Sequence, residues 1–478
     1  MEKQLRYSSM LTLEEIALRR LAAVVWCESD VLALTAKYET LHYLFNEEDK
    51  TWKNTVVDVV KDKMSKLQLP DSITEQMTRI SELIGTHILN WKILHESILK
   101  ESSSGMNEHI LEKLCFTTAG SVDYRQTAEA LVRSDVLDIV SRYKLSCLYC
   151  LEDYIPDLFS ELPDEKKKYF YDEIVTISSV DTFLWFLWPY ILKGEEFKLD
   201  RLSRSSGNQS NFRQYAFEYA AIRGNRAAVE YFFRKLLPEE RESPIIRAAK
   251  WIVENADRYE QADNYPETFP VENISGVLCY LLSLMTNEQQ IQIFKEKPHE
   301  FLGFFLQWPF QDIFLDNVDV VWTHFPESDF YTFFWNMIIM IKASDFADLS
   351  RDFSLRMTSS FIKYFVYNKT GICPLFLKFL SIRDTENVKF ILRNIDAADR
   401  VELLSSFPFF QFYLNSNDED IFPIVEMCLR EAMLSVEDKR RIKKALKKFE
   451  RLFEYEDETQ HLRKFLELLY ETDATAQS

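Results

Sequence analysis

The chain has 478 residues, 47% hydrophobic and 14% aromatic, which is enough apolar material for large buried cores and excludes a chain disordered by composition. Glycine is scarce, 9 residues against a usual frequency of about 7%, so the glycine-rich phosphate loops of α/β nucleotide-binding enzymes are not expected. The formal net charge of −19 opposes nonspecific nucleic-acid binding, which rests on neutralising phosphates, and fits a soluble chain or one that meets basic partners.

From the N-terminus onward, apolar residues recur at helical spacing. Leu13, Ile16, Leu18, Leu21 and Val24 mark a first helix, and Ile73, Met77, Ile80, Leu83, Ile84 and Ile88 a second. The first twenty residues carry no apolar run after their charges, so no secretory leader is expected. Period-two alternation bounded by turn residues is nearly absent, and the expected class is all-α. "ESSSGMN" at 101–107 reads as a linker that closes a helical N-terminal section of residues 1–105. "LSRSSGNQSN" at 202–211 and the stretch 257–273 read as loops within a longer array occupying 106–478. The run "FLWFLWPYIL" at 183–192 is about half of what a bilayer-spanning helix needs, and reads as buried core. Seven cysteines at irregular spacing do not form a disulfide framework, and a reducing cytoplasm is expected, with the nucleus as the alternative. The Asn-x-Ser/Thr triplets at Asn208, Asn273 and Asn368 then carry no glycan.

Helix starts are marked repeatedly. "LPDEKK" with Pro163, "LPEERE" with Pro238, "MTNEQQ" with Thr286, "FPESDF" with Pro326, "IDAADR" with Asp396 and "LSVEDK" with Ser435 each place a cap or first-turn residue before acids. A Ser, Thr or Asp side chain accepts from an orphan first-turn N–H, Pro fills a slot whose N–H is not needed, and acids favour the positive end of the helix dipole. Taking the two largest gaps as two units each, the spacing is roughly 35 to 48 residues, within the range of helical solenoids. "VEYFFRKLLPEER" from Val229 and "VKFILRNIDAADR" from Val388 share a pattern, with "VDVVWTHFPESDF" from Val318 and "YIPDLFSELPDEKKK" from Tyr154 nearby in form. The first two also share an upstream Ile-Arg, Ile222-Arg223 and Ile382-Arg383.

The stretch 217–235, "FEYAAIRGNRAAVEYFFRK", resembles the helix pair of an ankyrin repeat. Ala220-Ala221, Gly224-Asn225, Val229 and Phe232-Phe233 stand where that family has its small pair, its Gly-Asn turn, its Val and its paired leucines. Gly224 is expected to take the positive φ that ends the first helix, and Asn225 to cap the next. Tyr215, Ala216, Phe217 and Glu218 replace the family's Thr-Pro-Leu-His, and "KLLPEER" replaces its β-hairpin finger. The resemblance implies an α-solenoid of degenerate ankyrin-like or HEAT-like repeats, roughly eight units of two or three helices, that binds other proteins.

Catalytic patterns are not found. The phosphate loops GxxxxGK[ST] and GxGxxG, the zinc motif HExxH and the nucleophile elbow GxSxG do not occur. The histidines at 42, 87, 95, 109, 299, 324 and 461 are scattered and read as surface or satisfied core. Cys147 and Cys150 form a lone CxxC that reads as small buried thiols on a helix. The serine-rich loop at 203–210, beside Arg201 and Arg204, is expected to be a plain loop, with phosphorylation as the alternative. The run "DKRRIKKALKKFERLF" sets Ile442, Ala445, Leu446, Phe449 and Leu452 on one face, with Lys439, Arg440, Arg441, Lys443, Lys444, Lys447 and Lys448 on the others. A basic capping helix at about 435–470 is expected, and Arg440, Arg441, Lys443, Lys444, Lys447 and Lys448 are the interaction candidates. Nuclear import, a calmodulin-type target and a membrane-surface helix are its other readings, and the acids at 454–458 are placed to pair with it. The expected function is a non-catalytic protein-interaction scaffold or adaptor, without cofactor, nucleic acid or membrane. The alternatives are a substrate-recruiting adaptor or host-modulating effector, and an all-α enzyme with dispersed site residues.

Overall fold

In a computed structural model of the chain, the described residues are 5–8, 11–38, 52–99, 107–172, 180–200, 211–260, 269–324, 337, 349, 353, 374–381, 383–414, 421–450 and 458–471. These residues are helical with connecting turns. No strand occurs among them, and one isolated bridge joins Phe116 and Val122. The chain divides into two compact units, Met1–Asn317 and Val318–Ser478. The expected boundary near residue 105 therefore falls inside the first unit. Side chains bridge it directly: Asn90 Nδ2 donates to Glu272 Oε1 at 2.9 Å, and Ser141 Oγ donates to the Ile98 carbonyl at 3.2 Å.

The first unit opens with α1 (Leu13–Trp26), started by Thr12 and Glu15 in a reciprocal capping box. Next come α2 (Ser29–Lys37), α3 (Asp58–Ser65) and the long α4 (Asp71–Leu99), against which α1 packs. Gly85 is the contact point. A Cβ there would overlap the Trp26 ring, whose Nε1 donates to the carbonyl and hydroxyl of Ser81. Lys92, on α4, is nearly fully buried, yet its ammonium donates to the carbonyls of Thr35, Ala36 and Tyr38 at the C-terminal end of α2.

The following helices are α5 (Glu108–Leu111), α6 (Tyr124–Arg133), α7 (Ile139–Leu148), α8 (Ile155–Glu161), α9 (Asp164–Asp172) and α10 (Val180–Leu192). After them come α11 (Phe212–Ile222), α12 (Arg226–Lys235), α13 (Glu242–Glu254), α14 (Ala256–Glu260), α15 (Val271–Ser283), α16 (Asn287–Glu296), α17 (Pro298–Gly303) and α18 (Gln311–His324). The aromatic run at 183–192 lies in α10. Phe183, Trp185, Phe186 and Trp188 are all buried, as a core helix requires. No helix among the described residues is long and apolar enough to cross a membrane.

In the second unit, α19 (Pro374–Ser381), α20 (Thr385–Asn394) and α21 (Ala397–Leu404) are followed by α22 (Phe407–Leu414), α23 (Ile421–Glu431) and α24 (Val436–Glu450), then α25 (Glu458–Glu471). Helices three apart lie side by side: α19 on α22, α20 on α23, α21 on α24 and α22 on α25. Phe465 of α25 fills the layer against Tyr413, Phe410 and Phe409, with ring centroids 5.4, 5.7 and 6.4 Å away.

One helix-ending turn recurs. At Gly224 (φ +81°), the residue's own N–H bonds to the carbonyl three back (Ala221, 3.1 Å), and the next N–H to the carbonyl five earlier (Ala220, 3.0 Å). This is the Schellman pattern. The same pair of bonds occurs at Cys150, Gly194 and Arg383, each also at positive φ. After Gly224 and Arg383, Asn225 and Asp384 cap the next helix, accepting from Ala228 N at 3.0 Å and Asn387 N at 3.1 Å. The parallel runs on through both thirteen-residue stretches. Val229 and Val388 are fully buried, and the last residue of each stretch does the same work. Arg241 Nε donates to the Leu236 carbonyl at 3.2 Å, and Arg400 Nε to the Ile395 carbonyl at 3.1 Å.

The marked helix starts at Thr286, Asp396 and Ser435 are side-chain caps, with side-chain oxygens accepting from Gln289, Asp399 and Asp438 N. Pro163 precedes α9, and Pro238 opens a short 3₁₀ turn before α13. Pro326, Ile382, the loop at 203–210 and the acids at 454–457 lie outside the described residues.

A clasp closes the first unit. Arg6 N donates to Asn317 Oδ1 at 2.7 Å, Asn317 Nδ2 returns a bond to the Arg6 carbonyl at 2.8 Å, and Arg6 Nη1 pairs with Asp316 at 2.8 Å. Asn317 is fully buried and the neighbouring Leu5 nearly so. Asn317→Ala is expected to destabilise this unit by about 1–2 kcal/mol, because two backbone groups lose their partner. The urea midpoint should fall and limited proteolysis should accelerate near residue 6. An unchanged midpoint would remove the clasp from the account.

Candidate functional site

The interaction candidates sit on α24. Ser435 and Asp438 cap each other reciprocally: Asp438 N donates to Ser435 Oγ at 3.2 Å, and Ser435 N and Oγ donate to Asp438 Oδ2 at 3.1 and 2.6 Å. The Asp438 carboxyl is held below the usual range, first by the Ser435 hydroxyl. From that start, Ile442, Leu446 and Phe449 turn into the core and Ala445 is half-buried. Arg440, Arg441, Lys444, Lys447 and Lys448 are exposed and Lys443 is half-buried. At 3.6 residues per turn, the five exposed cations fall within roughly 120° of arc, opposite the buried face. Lys439, expected among the solvated charges, is instead buried, on the arc beside Leu446. Arg440 Nη1 lies 3.5 Å from Glu437 on the same helix, and the Lys443 ammonium 5.2 Å over the Tyr470 ring of α25. No ion pair is formed by Lys444, Lys447 or Lys448 among the described residues.

A second group of ionisable side chains comes together in the first unit, and the scattered histidine positions gave no sign of it. His95 on α4 is fully buried. Its Nδ1 is 2.6 Å from the Trp91 carbonyl and its Nε2 2.6 Å from the Tyr149 hydroxyl. The carbonyl can only accept, so Nδ1 carries the proton and Nε2 accepts from Tyr149. Burial lowers the His95 pKa to about 4. One helical stretch earlier, His87 packs edge-on to Trp308, with ring centroids 4.9 Å apart, and its Nδ1 is 3.9 Å from Glu272. Burial lowers its pKa too, against the pull of Glu272. Tyr124 faces His95 at 5.8 Å between centroids, and its buried hydroxyl has no hydrogen-bond partner among the described residues. Its pKa is pushed well up by burial and then by Glu272. Burial favours the neutral forms of both imidazoles and of the Tyr124 phenol.

The lone CxxC behaves in the same way. Cys147 lies in the last turn of α7 and Cys150 sits in the left-handed turn after it. Both are buried, and burial raises both thiols, Cys147 strongly, which removes the thiolate that redox or metal chemistry needs. Among the described residues, no group of His, Cys, Asp and Glu is arranged to hold a metal ion. No protein-family model matches the chain, and no curated protein matches it either.

Proposed function

We propose that the chain is a non-catalytic scaffold that binds other proteins through a surface built from repeated helical units. The observation that carries this reading is the recurrent turn. The same two backbone bonds close the helix before Cys150, Gly194, Gly224 and Arg383, and the stretches from Val229 and Val388 each follow a side-chain cap, Asn225 or Asp384, and share a buried first valine and a final arginine contact. Repeated units of this kind stack into extended surfaces whose use is recognition. A diverged ankyrin-like array accounts for Ala220-Ala221 and Gly224-Asn225, a HEAT-like array is the other reading, and the contacts between helices three apart in the second unit fit three-helix units. The acidic net charge favours basic partners. The six described cysteines, all free, support a reducing compartment.

The test is capture on immobilised full-length chain at low and moderate salt, followed by reconstitution of the retained protein with the purified chain. A complex of fixed stoichiometry on gel filtration is the expected result. Failure of any retained protein to re-form a complex, together with thermal stabilisation by a small metabolite, would replace the scaffold with the dispersed-site enzyme.

A further inference from the structure

We propose that the cationic stripe of α24 is a docking site for an extended acidic segment of a partner protein. This inference rests on the scaffold reading and names the partner chemistry at one place on it. The stripe is Arg440, Arg441, Lys444, Lys447 and Lys448, all exposed, on a chain whose net charge is −19. A cluster of exposed cations on so acidic a molecule is a local reversal of sign, and an anionic ligand is what it complements. Lys444, Lys447 and Lys448 make no ion pair among the described residues, so no described ion pair has to be broken to engage them. Arg440 has only an exposed i,i+3 contact with Glu437, and such contacts are weak.

Geometry selects the kind of anion. Arg440, Lys444 and Lys448 follow one another at i, i+4, a rise of about 6 Å each, and the stripe runs about 12 Å along the axis. An extended peptide repeats its side chains on one face every ~6.6 Å. Acids at alternate positions of such a peptide therefore meet successive cations in register, with Lys447 and Arg441 flanking the row. A membrane surface is a poorer match. An interfacial helix must sink its apolar face into lipid, and here Ile442, Leu446 and Phe449 are already inside the protein fold. A long nucleic acid must also lie across the remainder of a chain that carries 76 acidic and 57 basic residues.

The experiment uses full-length chain and a fluorescein-labelled peptide of roughly twelve residues alternating Glu and Ser. Anisotropy is read at about 50 mM and about 150 mM salt, a range over which screening by ions tightens. Saturable binding is expected, weakened at the higher salt. It should weaken at least tenfold in the triple variant Lys444→Glu, Lys447→Glu, Lys448→Glu, and less in the corresponding triple Gln variant. All three side chains are exposed, so circular dichroism and the urea midpoint should match the parent chain. Absence of saturable binding, or equal binding by the parent and charge-reversed chains, would overturn the stripe as a docking site. Tighter binding of a single-stranded DNA of equal charge, or of vesicles containing phosphatidylserine, would overturn the peptide assignment. In each of those cases the scaffold reading stands or falls separately, on capture by the whole chain.

Discussion

Gly224→Ala is expected to destabilise the first unit by about 2–4 kcal/mol, and Gly224→Val by more. Two independent terms add. Gly224 has φ +81°, and an L-residue held in the left-handed region loses roughly 1–2 kcal/mol. A Cβ built there would also lie 2.7 Å from Ile274 Cδ1 and 3.1 Å from Phe269 Cβ, both on buried side chains. Overpacking a filled core costs about 1–3 kcal/mol, and the smaller unfolded-state entropy of alanine returns less than about 1 kcal/mol. Gly194 separates the terms. Its φ is +69°, but a Cβ there would meet nothing within 4 Å. Gly194→Ala should therefore show the backbone term alone, about 1 kcal/mol. Urea unfolding followed by tryptophan fluorescence compares the two variants, using the transition of the first unit because the chain need not unfold in one step. Equal shifts for both glycines would mean that the contact with Ile274 and Phe269 is not tight, and that the turn matters only for its backbone.

That turn was legible in the sequence because its chemistry is local. A glycine before an asparagine, between two apolar helical runs, can be read without knowing what packs on it. The caps at Thr286, Asp396 and Ser435 and the buried row Ile442, Leu446, Phe449 were legible for the same reason. Cys150 and Arg383 were not. They make the same turn with side chains that ordinarily avoid positive φ, so the strongest composition signal is missing where the backbone pattern persists. The extent of the first unit was also hidden, because contacts within it, such as Arg6 to Asn317 and Asn90 to Glu272, join residues 311 and 182 positions apart. Lys439 reads as a solvated charge, and nothing in the sequence marks Lys92 as buried. Only tertiary packing over their stems buries them, and for Lys92 the three carbonyls at the end of α2 supply the compensation.

The first unit should lose on the order of 3 kcal/mol of stability between pH 6.5 and pH 4 through His95. The folded pKa of His95 is lowered from 6.5 to about 4 by burial. At neutral pH the ring is neutral in both the folded and unfolded chain, and the interaction is fully present. As pH falls below 6.5 the unfolded chain takes up the proton and the folded chain does not, so stability declines until the folded pKa is reached and then levels. His87, lowered in the same direction, adds to the slope, with Glu272 limiting its share. The carboxylates of this unit whose pKa values are lowered, Asp30, Glu195 and Glu288, act in a different window. Their stabilisation is present above the ordinary carboxylate range and is lost only as pH falls through their depressed values. Protonation of His95 also disturbs its bonds. Nδ1–H already donates to the Trp91 carbonyl, and a proton on Nε2 would convert the Tyr149 hydroxyl from donor to acceptor inside a closed core. His95→Gln should lower stability at pH 7.5 by about 1–2 kcal/mol through lost hydrogen bonding, yet flatten the decline between pH 6.5 and 4. Urea midpoints at four pH values across that range, for the parent and variant chains, decide it. A parent profile flat from pH 7 to pH 5, or a variant as steep as the parent, would show that the neutral ring is not what this core depends on.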